Sequence, residues 1–262
     1  MGALLSQVTD KPPLLPPRIV VHGKGGVGKT RFAANVDGVL FMPIEDGLTT
    51  LDVNHLPRPT SYGEVMSAIT ELANEKHKYK ALAIDTIDHL EPLVWANLCA
   101  AEGKKNIETF GYGKGYTMAD SLWIDFFCAL DALRINGMTI IVLCHNESKN
   151  VDDPQHGSYT RVTPKLHKRA NALMYEWADV VGYLDIERVA VDKGSDDGLA
   201  RKTRTLMSSG QRVLYLEDMG GFVAKNRYDL PSQIQIPKVA PYQALRSELL
   251  KAIKVDSAKE AA

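Results

Sequence analysis

Residues Gly23, Lys24, Gly25, Gly26, Val27, Gly28, Lys29 and Thr30 spell a complete G-x-x-x-x-G-K-T. Residues of these types, so spaced, can hold a polyphosphate. The glycines let backbone N–H groups curl around phosphate oxygens, Lys29 can reach the β- and γ-phosphates, and the Thr30 hydroxyl can hold Mg²⁺. The bland alternative is a chance Gly-rich turn, and the flanking sequence argues against it. The apolar run Arg18-Ile19-Val20-Val21-His22 precedes the loop, and a helix-compatible stretch from Lys29 to Val36 follows it. In that strand–loop–helix setting the positive end of the helix dipole faces the same anion. ATP with Mg²⁺ is the expected ligand.

Three further polar groups stand where chemistry on that ligand needs them. Asp85 closes the apolar run Ala81-Leu82-Ala83-Ile84 and is followed by Thr86. An acid there can hold Mg²⁺ in the Walker B manner, or merely cap the next helix. Glu45 closes Gly38 to Ile44, where a carboxylate can orient and deprotonate the water that attacks the γ-phosphate. The Asp46-Gly47 that follows is turn chemistry, so a solvated turn is the competing reading. His145 ends Met138 to Cys144, at a position that can touch the γ-phosphate and register its loss. Near the C-terminus, Lys225 and Arg227 flank Asn226. On a strand the two cations share a face, which suits a neighbouring subunit's nucleotide or a charged, aggregation-blocking edge.

Two segments combine cations with aromatics or sit in long connections. Residues 102–116 interleave Lys104, Lys105 and Lys114 with Phe110, Tyr112 and Tyr116. Rings that stack on bases beside cations that neutralise phosphates are the ingredients of single-strand binding. Residues 145–169 carry Lys149, Arg161, Lys165, Lys168 and Arg169, along with His167. The acidic pair at 152–153 argues instead for a solvated face. Composition and placement together make single-stranded DNA the expected partner.

The elements that must position these groups alternate. Strands are expected at 18–22, 38–44, 81–85 and 138–144, each continuous in apolar character as two-sided parallel strands are. Helices are expected at 29–36, from the Ser61-x-x-Glu64 capping box onward, and at 88–101, 118–135 and 165–177. The 145–164 stretch reads as a long polar segment. From 178 the pattern changes to short strands at 179–186, 188–192, 202–208, 212–217 and 221–227, an antiparallel extension of the same sheet. An amphipathic helix closes the chain at 241–254. The fold class is α/β with a mostly parallel central sheet flanked by helices. Ligands belong at the carboxyl ends of such strands, where Glu45, Asp85 and His145 converge on the loop. The expected division is an extended arm at 1–17, a core at 18–237, and a C-terminal helix and tail at 238–262.

Bulk properties set the limits. The 262 residues are 45% hydrophobic, enough to build one core, and the net charge of −1 leaves any nucleic-acid surface to local patches. Cys99, Cys128 and Cys144 lack metal-ligand spacing and read as buried free thiols of a reducing compartment. The N-terminus has no apolar core of signal-peptide length, and no run approaches the ~18 apolar residues of a membrane span. A cytoplasmic location without membrane contact is expected.

The order of parts resembles the RecA superfamily over about 18–237. The pieces that carry the resemblance are the phosphate loop, Phe41-x-x-x-Glu45, Ala83-Ile84-Asp85-Thr86 and Val223-Ala224-Lys225-Asn226-Arg227. It implies an oligomeric ATPase, a ring or filament with ATP between subunits. Glu45 would be its base, Lys225 and Arg227 would act in trans, and the two cationic segments would hold DNA. The family usually has Gln where His145 stands. The short build is similar to phage-encoded RecA-core nucleotide-binding proteins, some of which are single-strand annealing recombinases. That implies annealing or strand exchange in a bacterial host's cytoplasm, with a single-strand DNA-binding protein as a further partner. RecA-fold helicases and packaging motors share the same parts. Lys24 also fits the deviant loop of the MinD/ParA class of ATP-switched dimers. Pro43-Ile44-Glu45-Asp46, Asp85-Thr86-Ile87-Asp88 and the Lys-Asn-Arg strand depart from that class.

Overall fold

The structure is a computed structural model and describes Val8 and residues 14–154, 157–193 and 203–259. Most of the expected N-terminal arm lies outside the described residues. The first half of the chain runs β1 (Arg18–Gly23), α1 (Lys29–Ala34), β2 (Val39–Pro43), α2 (Tyr62–Asn74), β3 (Ala81–Asp85), α3 (Ile87–Ala101) and α4 (Lys114–Ile135). It continues through β4 (Thr139–Asp153), β5 (Gly157–Pro164), α5 (Lys168–Trp177), β6 (Val180–Lys193), β7 (Thr203–Tyr215), β8 (Lys225–Asn226), β9 (Gln233–Ile236) and α6 (Pro241–Lys259).

The sheet order is β2-β3-β4-β1-β6-β7-β9. The first five of these strands are mutually parallel, and β7 turns antiparallel on β6. Each strand's apolar run is divided between two layers. In β2, Leu40 and Met42 face a core under α2, α3, α4 and α5, where Trp123 and Phe126 are buried. Phe41 faces the opposite core, with Phe32 of α1 and Leu245 of α6. Phe32 meets Tyr242 edge-on at 5.7 Å, which pins α6 against α1. Burying a side chain the size of Phe32 is worth roughly 1.5–3 kcal/mol. The α/β class, the mostly parallel sheet and the antiparallel C-terminal side are as the sequence led one to expect.

Several elements differ from expectation. The segment at 145–164 is not a loop: β4 continues past the sheet to Asp153 and pairs antiparallel with β5 as a projecting hairpin. Once β4 leaves the sheet its residues are at most half-buried, so the strand turns polar and the apolar signal ends at Cys144. β6 joins as a fifth parallel strand beside β1, so the antiparallel extension starts only at β7. The expected breaks near 187 and 210 are irregularities within single strands. A register shift falls between Ile186 and Arg188, and Gly210 takes φ 74° inside β7. The expected 221–227 strand is divided between two partners. Phe222 bridges to Val162 of β5, while Lys225 and Asn226 pair with β6. β9 was missed, although Gln-Ile-Gln-Ile alternates exposed and buried in the manner of a half-covered strand. Cys99 and Cys144 are buried free thiols, but Cys128 is exposed on the outer side of α4. No helix among the described residues is long and apolar enough to cross a membrane.

Candidate nucleotide site

The phosphate loop joins β1 to α1. Gly26 and Gly28 take φ of 75° and 110°, which L side chains rarely adopt. Gly23 is constrained by space instead: a Cβ there would stand 2.4 Å from the Leu184 carbonyl oxygen. Val27 and Lys29 are buried, Gly28 and Thr30 half-buried, and Lys24, Gly25 and Gly26 exposed. The Lys29 ammonium donates to the carbonyls of Gly23 at 2.9 Å and Lys24 at 3.2 Å. Burial lowers its pKa, opposed by the surrounding anions Asp85, Glu45 and Asp88.

β4 lies between β1 and β3, so their carboxyl ends form one rim. Register places Gly23 opposite His145, and Asp85 opposite both Pro43 and Leu143. The Asp85 carbonyl accepts from the backbone N–H of Ile44 at 2.7 Å and of Glu45 at 3.2 Å, tying the end of β2 to that of β3. Lys29, Thr30, Glu45 and His145 line one cleft of about 370 Å³. Asp85 is 3% exposed. Burial pushes its carboxyl up to about 6; the Thr30 hydroxyl and Lys29 pull the other way, and Glu45 adds to the rise. Its Oδ1 is buried with no hydrogen-bond partner. An orphaned hard oxygen beside a Thr hydroxyl is a fitting donor set for Mg²⁺, whose charge would restore the carboxylate. Asp85 is not the helix cap, since Thr86 holds the N-cap position of α3.

Sequence reasoning missed three residues of the rim. Asp88 accepts from the His145 backbone N–H at 2.9 Å and lies 3.0 Å from its Nδ1. Burial would raise the Asp88 carboxyl, but the contacts with His145 hold it down at about 2. A carboxylate only accepts, so Nδ1 of His145 carries a proton and Nε2 is turned to Glu45, 3.9 Å from Oε1. His89 Nδ1 lies 2.9 Å from Thr86 Oγ1 and 3.3 Å from Glu45 Oε2. Asp88 and His89 could have been found as the first turn after the Asp85 strand end. Arg212 of β7 left no local signal: its Nε donates to the Val27 carbonyl at 2.6 Å and lies over Gly28.

Lys225 and Arg227 lie elsewhere. β8 pairs with the beginning of β6, at the opposite end of the sheet from the phosphate loop. Both cations reach the Glu176 carbonyl at the end of α5, Lys225 at 3.2 Å and Arg227 at 2.8 Å. Arg227 also pairs with Asp179 at 3.3 Å, and Lys225 donates to the Tyr175 carbonyl at 2.6 Å. Asn226 turns the other way and accepts from Tyr228 and Leu230.

The candidate DNA residues divide. Lys149, Lys165 and Lys168 line a cleft of about 610 Å³ that Asp88 and His89 border from the nucleotide side. The ring of Tyr116 stacks on His167 of that cleft at 4.0 Å, which joins the two cationic segments. Lys104, Lys105 and Lys114 are exposed, as is Tyr112, while Phe110 is half-buried with Lys104 6.0 Å from its ring. Arg161 pairs with Asp218, Arg169 with Asp120, and Lys149 with Glu147. Glu91 in the cleft is pushed up to about 7 by burial although it accepts from the His167 backbone N–H.

None of the curated proteins compared matches the chain. Among solved structures, the flagellar accessory protein FlaH from Methanocaldococcus jannaschii is similar over 84% of this chain and 86% of its own, at 11% identity and a TM-score of 0.40, too low to carry an argument. The model of the family described as AAA domain matches residues 15–228, most of the chain and all of the rim built from β1, β2, β3 and β4. The chain belongs to the AAA domain family, and its phosphate loop makes it a P-loop ATPase.

Proposed function

We propose that the chain is a RecA-like ATPase that assembles on single-stranded DNA, with ATP between subunits, and promotes annealing or strand exchange of the kind phage recombinases carry out. The observation that carries the reading is the gathering of Lys29, Thr30, Glu45, Asp85 and His145 on one rim beside a lysine-lined cleft.

Lys29 exchanges its two backbone carbonyls for phosphate oxygens and stays cationic there. Glu45, fixed by its backbone bond to Asp85, orients and deprotonates the attacking water. Thr30 and Asp85 would hold Mg²⁺, which when bound neutralises charge on the phosphates. His145 presents Nε2 toward the same region because Asp88 occupies Nδ1. Lys165 donates its backbone N–H to the His145 carbonyl at 2.8 Å, so the histidine lies one hydrogen bond from the cleft assigned to DNA. Lys225 and Arg227, remote from their own phosphate loop, serve a neighbouring subunit's nucleotide.

The decisive experiment measures ATP turnover with and without single-stranded DNA, with particle size followed alongside. DNA-stimulated turnover in large assemblies is the expected result. An ATP-dependent dimer indifferent to single strands would overturn the reading in favour of a MinD/ParA-type switch.

A further inference from the structure

Glu45, His89 and His145 each offer one ligand atom, and the three atoms lie within 4.8 Å of one another. They come from the segment just after β2, the first turn of α3 and the point where β4 leaves the sheet. Glu45 Oε2 is 3.3 Å from His89 Nδ1, and Glu45 Oε1 is 3.9 Å from His145 Nε2. A tetrahedral zinc with bonds of ~2.1 Å needs ligand atoms ~3.4 Å apart, so side-chain rotation must draw the set in from its present span of up to 4.8 Å. A second observation supports it independently. Asp88 occupies the Nδ1 side of His145 at 3.0 Å, the carboxylate–histidine arrangement that fixes the tautomer with Nε2 free to ligate.

We propose that Glu45, His89 and His145 form a site for a transition divalent cation of the zinc class, and that its occupancy halts hydrolysis. Ligand chemistry separates it from the Mg²⁺ position. Two imidazoles select zinc or cobalt, whereas the oxygens of Thr30 and Asp85 suit Mg²⁺. A metal there engages Glu45 and His145 together and withdraws the carboxylate from the attacking water. This inhibitory half rests on the reading of Glu45 as the water-activating base; binding does not.

The test titrates the nucleotide-free full chain with Zn²⁺ in competition with a chromophoric chelator, in millimolar Mg²⁺. One tightly bound equivalent is expected. His89→Ala should abolish it, and the half-exposed ring makes that change tolerable to the fold. Asp88→Asn should weaken it by roughly 10- to 100-fold. Co²⁺ should give visible d–d bands in the wild type that are missing from His89→Ala. Equal zinc affinity in wild type and His89→Ala would overturn the site while leaving the Glu45 assignment intact. Turnover of Mg-ATP should fall with one equivalent of Zn²⁺ in the wild type, and not in His89→Ala measured against its own zinc-free rate. Zinc bound at the site with turnover unchanged would overturn the inhibitory half, and the zinc-free turnover of Glu45→Gln then decides separately whether Glu45 keeps its role.

Discussion

The Asp88 carboxylate grips His145 twice, accepting its backbone N–H at 2.9 Å and its Nδ1–H at 3.0 Å. The pair crosses from the first turn of α3 to the point where β4 leaves the sheet. It decides which ring nitrogen of His145 faces Glu45 and the phosphate loop. Asp88→Asn should lower turnover while leaving ATP affinity near that of the wild type, because the imidazole loses its fixed tautomer and not its place. A binding isotherm beside a turnover assay checks this; a large loss of affinity would show that Asp88 supports the loop itself.

Lys29→Ala should lose ATP binding, read with a fluorescent nucleotide analogue. Glu45→Gln should keep binding and lose turnover by roughly 10²- to 10⁴-fold, the usual share of a general base. Near-normal turnover in Glu45→Gln would remove Glu45 from the chemistry.

Arg227→Ala should bind ATP and lose DNA-stimulated turnover. It should also lower the urea midpoint, since Arg227 pairs with Asp179 and the end of α5. The two effects separate on mixing. Lys29→Ala subunits bring an intact Arg227, and Arg227→Ala subunits an intact loop, so mixed assemblies should regain part of the activity. No recovery would leave Arg227 with its role in the fold alone.

Lys149, Lys165 and Lys168 replaced together by Ala should weaken single-strand binding and flatten its salt dependence, by about 0.7 in the log–log slope for each phosphate no longer neutralised. The same measurement on Lys104, Lys105 and Lys114 tests the exposed segment before α4. An unchanged slope excludes the segment concerned from the DNA surface.

His22 should withdraw stability in mild acid, against Asp85 and Glu91, whose raised pKa values give slopes of the opposite sign. The ring is fully buried, its Nε2 donates to the Val223 carbonyl at 2.7 Å, and Nδ1 has no partner. Burial lowers its pKa from 6.5 to about 4, with Lys29 adding to the effect. The unfolded chain therefore binds the proton more tightly. The His22 contribution is full above about pH 6.5, declines as pH falls toward about 4, and levels off below, a loss of roughly 3 kcal/mol. His22→Gln should remove this contribution, so that its urea midpoint gains on that of the wild type as pH falls from 7 to 4.5. An unchanged slope would place its origin in another group.

What the sequence by itself determined is local. The phosphate loop, the Ser61–Glu64 capping box and the four apolar strands that enter the parallel sheet were legible, because contiguous residues supply their hydrogen bonds and their burial. Ser61 Oγ does accept the Glu64 N–H, at 3.2 Å. The ends of β2, β3 and β4 could be read as ligand-facing because parallel strands expose their carboxyl ends together.

Only the tertiary structure decided what stands across those ends. Arg212 entered the site through a contact between elements far apart in sequence, and only the packing of α3 beside β2 and β4 shows which groups Asp88 and His89 meet. The hairpin of β4 and β5 was hidden for a related reason: beyond Cys144 no residue of β4 is fully buried, so no apolar alternation betrays the strand. Lys225 and Arg227 share a face, as strand geometry required. Their distance from their own phosphate loop follows from β8 pairing at the beginning of β6, a matter of sheet order that local sequence does not encode.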